Sequence, residues 1–244
     1  MSRITQEQIA QFTQNGFFLL EDYFRAEEMA ALEAAIDRHT LAHNDQLREG
    51  ERGGISRADE IQFTAFLAEH DEAIRAFATQ EKMAAVAVAL LGPDVRLYWN
   101  QAVYKYPETP RPFPWHQDNG YTPVEPEQYL TCWLALNDAT IENGCIWVLP
   151  GSHKNGTLPH KDSELGRVGY DGPDPGVPVP IRKGGMAVFS SLLLHKSGPN
   201  LTDSDVRKAY IMQYCLAHTR DGKTGKPFDD RILVARNGIR VASF

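Results

Sequence analysis

The sequence predicts an α+β chain whose N-terminal helices pack outside a β-sandwich or barrel core. Three observations predict it. Helical signals are concentrated in roughly the first ninety residues. From Val95 onward, apolar and polar residues alternate with period two in short runs rich in aromatic and β-branched side chains. Loops rich in Pro, Gly and Asn separate those runs, notably Pro107 to Pro114, Asn143-Gly144 and Pro150-Gly151. Helices first and many short strands afterwards is an α+β order. No linker divides the strand region of the 244 residues, so the chain reads as one domain, 1–244.

Each element has a local reason. Thr5-Gln6-Glu7-Gln8 is a capping box, and Gly16 is a natural stop for a helix over 6–15. Phe17 to Leu20 is a short strand. Ala26 to His43 is rich in Ala, Leu and Glu, with Met29, Leu32, Ala35 and Ile36 on one face, which predicts an amphipathic helix. Glu81 to Leu91, closed by Gly92-Pro93, is another helix. Strands are expected from Val95 to Tyr106 and around 115–118, 130–137, 145–149, 186–189, 192–197 and 207–217. The Gly- and Pro-containing stretch 154–184 reads as a long functional loop. The tail after Thr219 reads either as an added edge strand or as a surface for a partner subunit.

Composition excludes several function classes. Hydrophobic residues at 42% and charged residues at 23% are ordinary globular values, and a net charge of −7 argues against nucleic-acid binding. The longest apolar run, Met83 to Leu91, is too short to span a bilayer, and the first residues lack the apolar stretch of a secretory signal. Three scattered cysteines, Cys132, Cys145 and Cys215, form neither a disulfide framework nor a zinc knuckle, so a reduced cytoplasm is expected. The expected partner is a small molecule, with no nucleic acid and no membrane; oligomeric state is not readable.

Three stretches carry candidate chemistry. In Trp115-His116-Gln117-Asp118 a strand would place His116 and Asp118 on one face, about 6–7 Å apart along the backbone. That is a two-ligand edge for a metal, or equally a surface strand with a local hydrogen bond. His195 closes the apolar run Leu192-Leu193-Leu194. Alone it reads as a core histidine bonded to a carbonyl. With His116 and Asp118 it completes a two-histidine, one-carboxylate set that leaves a face of an octahedral iron open. Arg207, twelve residues further on, pairs with Asp203 or Asp205, or else offers its planar fork to a carboxylate. Ser197 shares strand parity with His195 and would donate to that carboxylate.

The order His116-x-Asp118, then Asn143-Gly144-Cys145 to Leu149-Pro150-Gly151-Ser152-His153, then His195-x-Ser197 and Arg207, resembles the phytanoyl-CoA dioxygenase family. These are Fe(II)- and 2-oxoglutarate-dependent oxygenases on a double-stranded β-helix, or jelly-roll, core. The resemblance runs from about residue 5 to about residue 217. It implies that His116, Asp118 and His195 ligate Fe(II), and that Arg207 and Ser197 hold the distal carboxylate of 2-oxoglutarate. It implies that Trp133 lines the co-substrate pocket, a strand tryptophan whose other reading is core packing. Gln101 is a further candidate there. Arg57 falls where the family places a basic residue reaching the co-substrate, and it also reads as a solvated arginine. His153 and His160 read as residues of an exposed loop and stay off the metal.

The implied reaction couples decarboxylation of 2-oxoglutarate, with O₂ as oxidant, to oxidation of a C–H bond of a small-molecule metabolite, releasing succinate and CO₂. Related halogenating enzymes lack the carboxylate; Asp118 therefore implies hydroxylation or a related oxidation. Residues 154–184 with Asn119, Gly120 and Tyr121 are expected to face the substrate, and Arg111, Arg167 and Lys183 to meet an anionic group if it has one. Two alternatives are a cupin-like metal dioxygenase that does not use 2-oxoglutarate, and a jelly-roll binding protein without turnover.

Overall fold

A computed structural model of the chain describes residues 4–50, 54–107, 109–173 and 175–241. Met1–Arg3, where a signal would begin, and the last three residues of the tail lie outside the described residues. The N-terminal part is α1 (Gln6–Asn15), β1 (Phe17–Leu20), α2 (Ala26–Arg48), β2 (Ile61–Ala65), α3 (Leu67–His70), α4 (Glu72–Ala78) and α5 (Glu81–Leu91). The Thr5–Gln8 capping box forms, and Gly16 ends α1 in the left-handed region at φ 84°. The helix that starts at Ala26 runs five residues beyond the expected His43. The first ninety residues also contain β2, a strand the sequence reading did not expect. It pairs with β3 from Ile61↔Lys105 to Ala65↔Gln101.

The remainder is β3 (Val95–Lys105), β4 (Phe113–His116), the single turn α6 (Asp118–Tyr121), β5 (Val124–Glu125), β6 (Leu130–Ala135) and β7 (Ile146–Val148). Then come β8 (Lys161–Ser163), β9 (Gly166–Val168), β10 (Val177–Val179), β11 (Met186–Ser190), β12 (His195–Ser197) and β13 (Arg207–Leu216). β14 (Arg220–Asp221), β15 (Ile232–Arg236) and β16 (Ile239–Arg240) close the chain. The stretch 154–184 is therefore not a bare loop, since it holds β8, β9 and β10.

Two antiparallel sheets form the jelly-roll core. The larger runs β1-β11-β6-β13-β3-β15-β16, with β2 also on β3; the smaller runs β10-β7-β12-β4. Period two sorts the strand residues of the larger sheet into two faces. Cys132, Leu134, Val188, Tyr210, Met212 and Tyr214 face out and pack with α2, α4 and α5 in the main apolar cluster. Trp133, Ala135, Ala187, Phe189 and Ala209 face in and pack against Ile146, Val148 and Val179 of the smaller sheet. The same parity puts Gln101, Lys105, Arg207 and Gln213 on the inner face. The chain therefore buries apolar surface on both sides of its central sheet; Asn100 and Gln62 are buried on the helix side, and the polar side chains at inward parity meet in the space between the sheets.

Candidate active site

His116 and His195 are Cα partners on adjacent strands of the smaller sheet. Each imidazole Nδ1 lies against the carbonyl two residues earlier, Pro114 at 2.8 Å and Leu193 at 3.0 Å. A carbonyl only accepts, so Nδ1 carries the proton and the Nε2 lone pair faces the interior. Asp118 Oδ1 lies 3.8 Å from His116 Nε2 and 3.6 Å from His195 Nε2. One ligand atom from each of the three residues lies within 4.8 Å of the others. Burial, and His195 beside it, hold the His116 imidazole well below its usual range, so it stays a neutral ligand. Two imidazole nitrogens and one carboxylate suit a non-haem iron.

Two boundaries differ from the sequence reading. Asp118 is not in the strand with His116. β4 stops because the Gln117 backbone N–H donates to His160 Nε2 at 3.0 Å, and Asp118 opens the turn α6. His195 opens a strand instead of closing one. Ser190 captures the N–H of Leu192 on its Oγ and that of Leu193 on its carbonyl, so 191–194 is a turn.

An inner cavity of about 70 Å³ opens beside the triad and is lined by Gln101, Thr131, Trp133, Ser197, Arg207 and Gln213 among others. Arg207 is 1% exposed, and its Nε and Nη2 have no hydrogen-bond partner. The alternative reading, a pairing with Asp203 or Asp205, does not form; Asp205 instead accepts from Asn137 and Asn143. Burial brings the guanidinium down to about 10. A buried unpaired guanidinium is strongly unfavourable alone, and a carboxylate entering the cavity would satisfy it. Trp133 lines the same cavity and carries the Arg207 guanidinium 5.3 Å from its ring centroid, so it serves packing and pocket together. Gln101 lines the cavity too, its Oε1 accepting from Trp99 Nε1 at 3.1 Å. Arg57 is not among the lining residues; its guanidinium donates to the carbonyls of Gly54, Ser56 and Glu164.

Sequence reasoning missed three residues here. Thr131 Oγ1 and Gln213 Nε2 donate to Asp118 Oδ2 at 2.6 and 2.9 Å, which leaves Oδ1 facing the two histidines. Lys105, 1% exposed, donates to Gly198 O at 2.6 Å and Ser197 Oγ at 3.2 Å. With its oxygen lone pair taken, the Ser197 hydroxyl is free to donate into the cavity. Burial and the neighbouring Arg207 push the Lys105 ammonium down to about 7. The one signal for all three was a polar side chain at inward parity in an otherwise apolar strand.

His153 and His160 are half-buried braces rather than loop residues in solvent. His153 Nε2 lies 3.2 Å from Thr13 O, and Ser152 Oγ accepts from the Leu194 N–H next to His195. His160 Nδ1 lies on Leu158 O, so its Nε2 is the acceptor for Gln117.

An outer cavity of about 530 Å³ shares His116, Asp118, Gln101, Gln213, Phe63 and Phe113 with the inner one and is otherwise walled by Tyr98, Trp99, Tyr121 and Tyr129 among others. Tyr121 is the one expected substrate-facing residue on this wall. None of 154–184 lines it among the described residues; β9 backs it, with the Arg167 N–H donating to Tyr121 Oη at 2.7 Å. Arg111 pairs with Glu60 and Glu164, Arg167 with Asp162, and Lys183 with Glu33.

Residues 12–209 match the family profile of phytanoyl-CoA dioxygenase. The phytanoyl-CoA dioxygenase domain-containing protein 1 of Mus musculus is 26% identical over 87% of this chain and 90% of its own length. A methylphosphonate hydroxylase of Gimesia maris is 30% identical over 88% of this chain and 82% of its own. Among solved structures, EvdO2 from Micromonospora carbonacea in complex with 2-oxoglutarate superposes with a TM-score of 0.72 at 26% identity, covering 93% of this chain and 96% of that one. Profile, relatives, jelly-roll core and His-Asp-His cluster agree: the chain belongs to the phytanoyl-CoA dioxygenase family of Fe(II)- and 2-oxoglutarate-dependent oxygenases.

Proposed function

We propose that this chain hydroxylates, or otherwise oxidises, an unactivated C–H bond of a small-molecule metabolite, acting as one domain over 1–244. His116, Asp118 and His195 would hold Fe(II). Arg207 and Ser197 would take the distal carboxylate of 2-oxoglutarate, with Trp133 and Gln101 shaping its pocket. The bound pair supplies O₂ activation coupled to decarboxylation of the keto acid to succinate and CO₂. The chain's own residues then have three tasks. Thr131 and Gln213 keep Asp118 in its ligating rotamer. The packed inner faces exclude water, and the outer cavity presents the substrate to the triad. Retention of the Asp118 carboxylate supports oxygenation over halogenation. Three buried free thiols support a reducing compartment; among the described residues no helix is long and apolar enough to cross a membrane.

The observation that carries this reading is the unpaired Arg207 guanidinium buried beside the triad. A metal dioxygenase that cleaves its own substrate has no use for it. The test is anaerobic titration of metal-free protein with Fe(II) and 2-oxoglutarate, following the visible iron-to-keto-acid charge-transfer band. The band is expected to saturate, to vanish in His195→Ala, and to need on the order of 100-fold more 2-oxoglutarate in Arg207→Ala, the size of a lost buried charge pair. A folded, iron-loaded protein without the band would overturn the reading.

A further inference from the structure

The walls of the outer cavity constrain what the oxygenase reading leaves open, and the inference drawn from them rests on that reading. Phe63 and Phe113 pack with ring centroids 5.5 Å apart, and Tyr98 and Tyr129 with centroids 5.0 Å apart. Three polar ends on these walls are already engaged. Tyr121 Oη accepts the Arg167 N–H, the Tyr98 hydroxyl bonds the Thr122 side chain, and Trp99 Nε1 donates to Gln101. What the wall offers a ligand is therefore ring surface, which rewards flat, apolar, stacking partners.

Charge points the same way. Asp118 is the one carboxylate among the lining residues described, and its two oxygens serve Thr131, Gln213 and the histidines. No lysine or arginine is among them. Among the described residues, Arg57 is turned onto carbonyls, and Arg111 and Arg167 onto carboxylates. Away from the triad, an ion of either sign entering this cavity would lose its water and meet no counter-charge among the described lining residues, which is strongly unfavourable.

We propose that the substrate of this chain is an uncharged, ring-bearing small molecule held against the Phe63–Phe113 wall and the partly exposed rings of Trp99 and Tyr121. The inference separates this chain from its methylphosphonate-hydroxylating relative, whose named substrate is an anion.

The test uses matched probes on the anaerobic protein loaded with Fe(II) and 2-oxoglutarate: 2-methoxynaphthalene, 2-naphthoate, methylphosphonate and a trimethylammonium naphthalene. Ligand-observed NMR reads binding, and the charge-transfer band is recorded on the same samples. The neutral probe is expected to bind at least about tenfold more tightly than any charged one, given the missing counter-charges. Phe63→Ala should weaken it, and Ala65→Lys, which sets a cation on the same wall, should make 2-naphthoate a ligand. A charged probe bound best, or no binding of the neutral probe with the band intact, would overturn the substrate class alone. An absent band would instead overturn the oxygenase reading and this inference with it.

Discussion

Asp118 is poised to serve as the proposed ligand because other side chains decide which of its oxygens points where. Gln213 and Thr131 take Oδ2, so Oδ1 meets the imidazoles. Gln213→Leu is expected to lower Fe(II) affinity by about 10–100-fold, the usual size for a lost hydrogen bond behind a metal ligand. A competition titration against a chelator measures it, and unchanged affinity would mean Thr131 suffices. Lys105 sets a pH dependence whose sign is fixed. Its ammonium, brought down to about 7 by burial and by Arg207, faces no carboxylate; its partners are the neutral oxygens of Gly198, Ser197 and Arg111, with Cys145 near Arg207 kept a thiol by burial. The cation is present below pH 7 and lost above it. A dicarboxylate beside Arg207 stabilises that cation, so binding takes up a proton above pH 7. 2-Oxoglutarate affinity is expected to hold below about pH 6.5 and to fall by up to about tenfold per pH unit above 7.5. Calorimetric titration should show that slope flattened in Lys105→Met. For the free protein the sign is opposite. Between about 7 and the ordinary lysine value the unfolded chain binds the extra proton, so this group's contribution to stability rises with pH across that window. None of Lys105, Thr131 or Gln213 was legible as a partner, because partnership here depends on cross-strand register, which no local pattern specifies.

At the scale of elements, periodicity and caps made most strands and the first and fifth helices readable. What escaped were ends set by tertiary contacts. The Gln117 N–H goes to His160, and the N–H groups of Leu192 and Leu193 go to Ser190, so both ligand strands are shorter than their apolar runs. β2 alternates Ile61, Phe63 and Ala65 with Gln62 and Thr64, but five residues among helices carry little periodic weight. The two most family-like motifs turn out to be braces. Asn143 takes the Thr140 N–H and donates to Asp138 O and Asp205 Oδ2, while Gly144 lies so close to Gly198 and Pro199 that a Cβ would sit 2.8 Å from a carbonyl oxygen. Together they hold the segment between Ser197 and Arg207. Gly-Ser-His does the same for α1. The Gly151 N–H donates to Asn15 O, and a Cβ on Gly16 would lie 2.6 Å from His153 Nδ1. Gly16→Ala combines that clash with a left-handed backbone. It is expected to destabilise by roughly 1–3 kcal/mol, measured by urea unfolding, with the iron site less affected than the docking of α1.

The whole molecule is a sheet buried on two sides, and its free edges are managed differently. The tail resolves into an edge strand: β15 covers β3 through Ile232↔Leu97 and Leu233↔Arg96, and Val234 is fully buried among the helix-side apolar residues. Deleting 231–244 is expected to remove at least about 1.5–3 kcal/mol from Val234 alone and to leave β3 open to pairing with another chain. A lowered urea midpoint with concentration-dependent aggregation is the expected result; an unchanged midpoint would show the strand to be an ornament. The apolar faces were readable in advance because burial imposes period on a sequence. The closing of two sheets on each other was expected from the order of elements and the family resemblance; which polar side chains would meet between them was not, since that depends on contacts between residues far apart in the chain.

The pairing of His195 with His116 across two strands has a consequence for how the molecule matures. If β12 slid by one residue against β4, every side chain on it would change faces, and one imidazole would leave the interior. A mispaired chain would offer an incomplete ligand set and bind iron poorly, while a correctly paired one gains stability from the metal by mass action. Loading a metal on the proposed triad would thus act as a checksum on the fold: the ion would read strand alignment, and chains that added up correctly would keep it best.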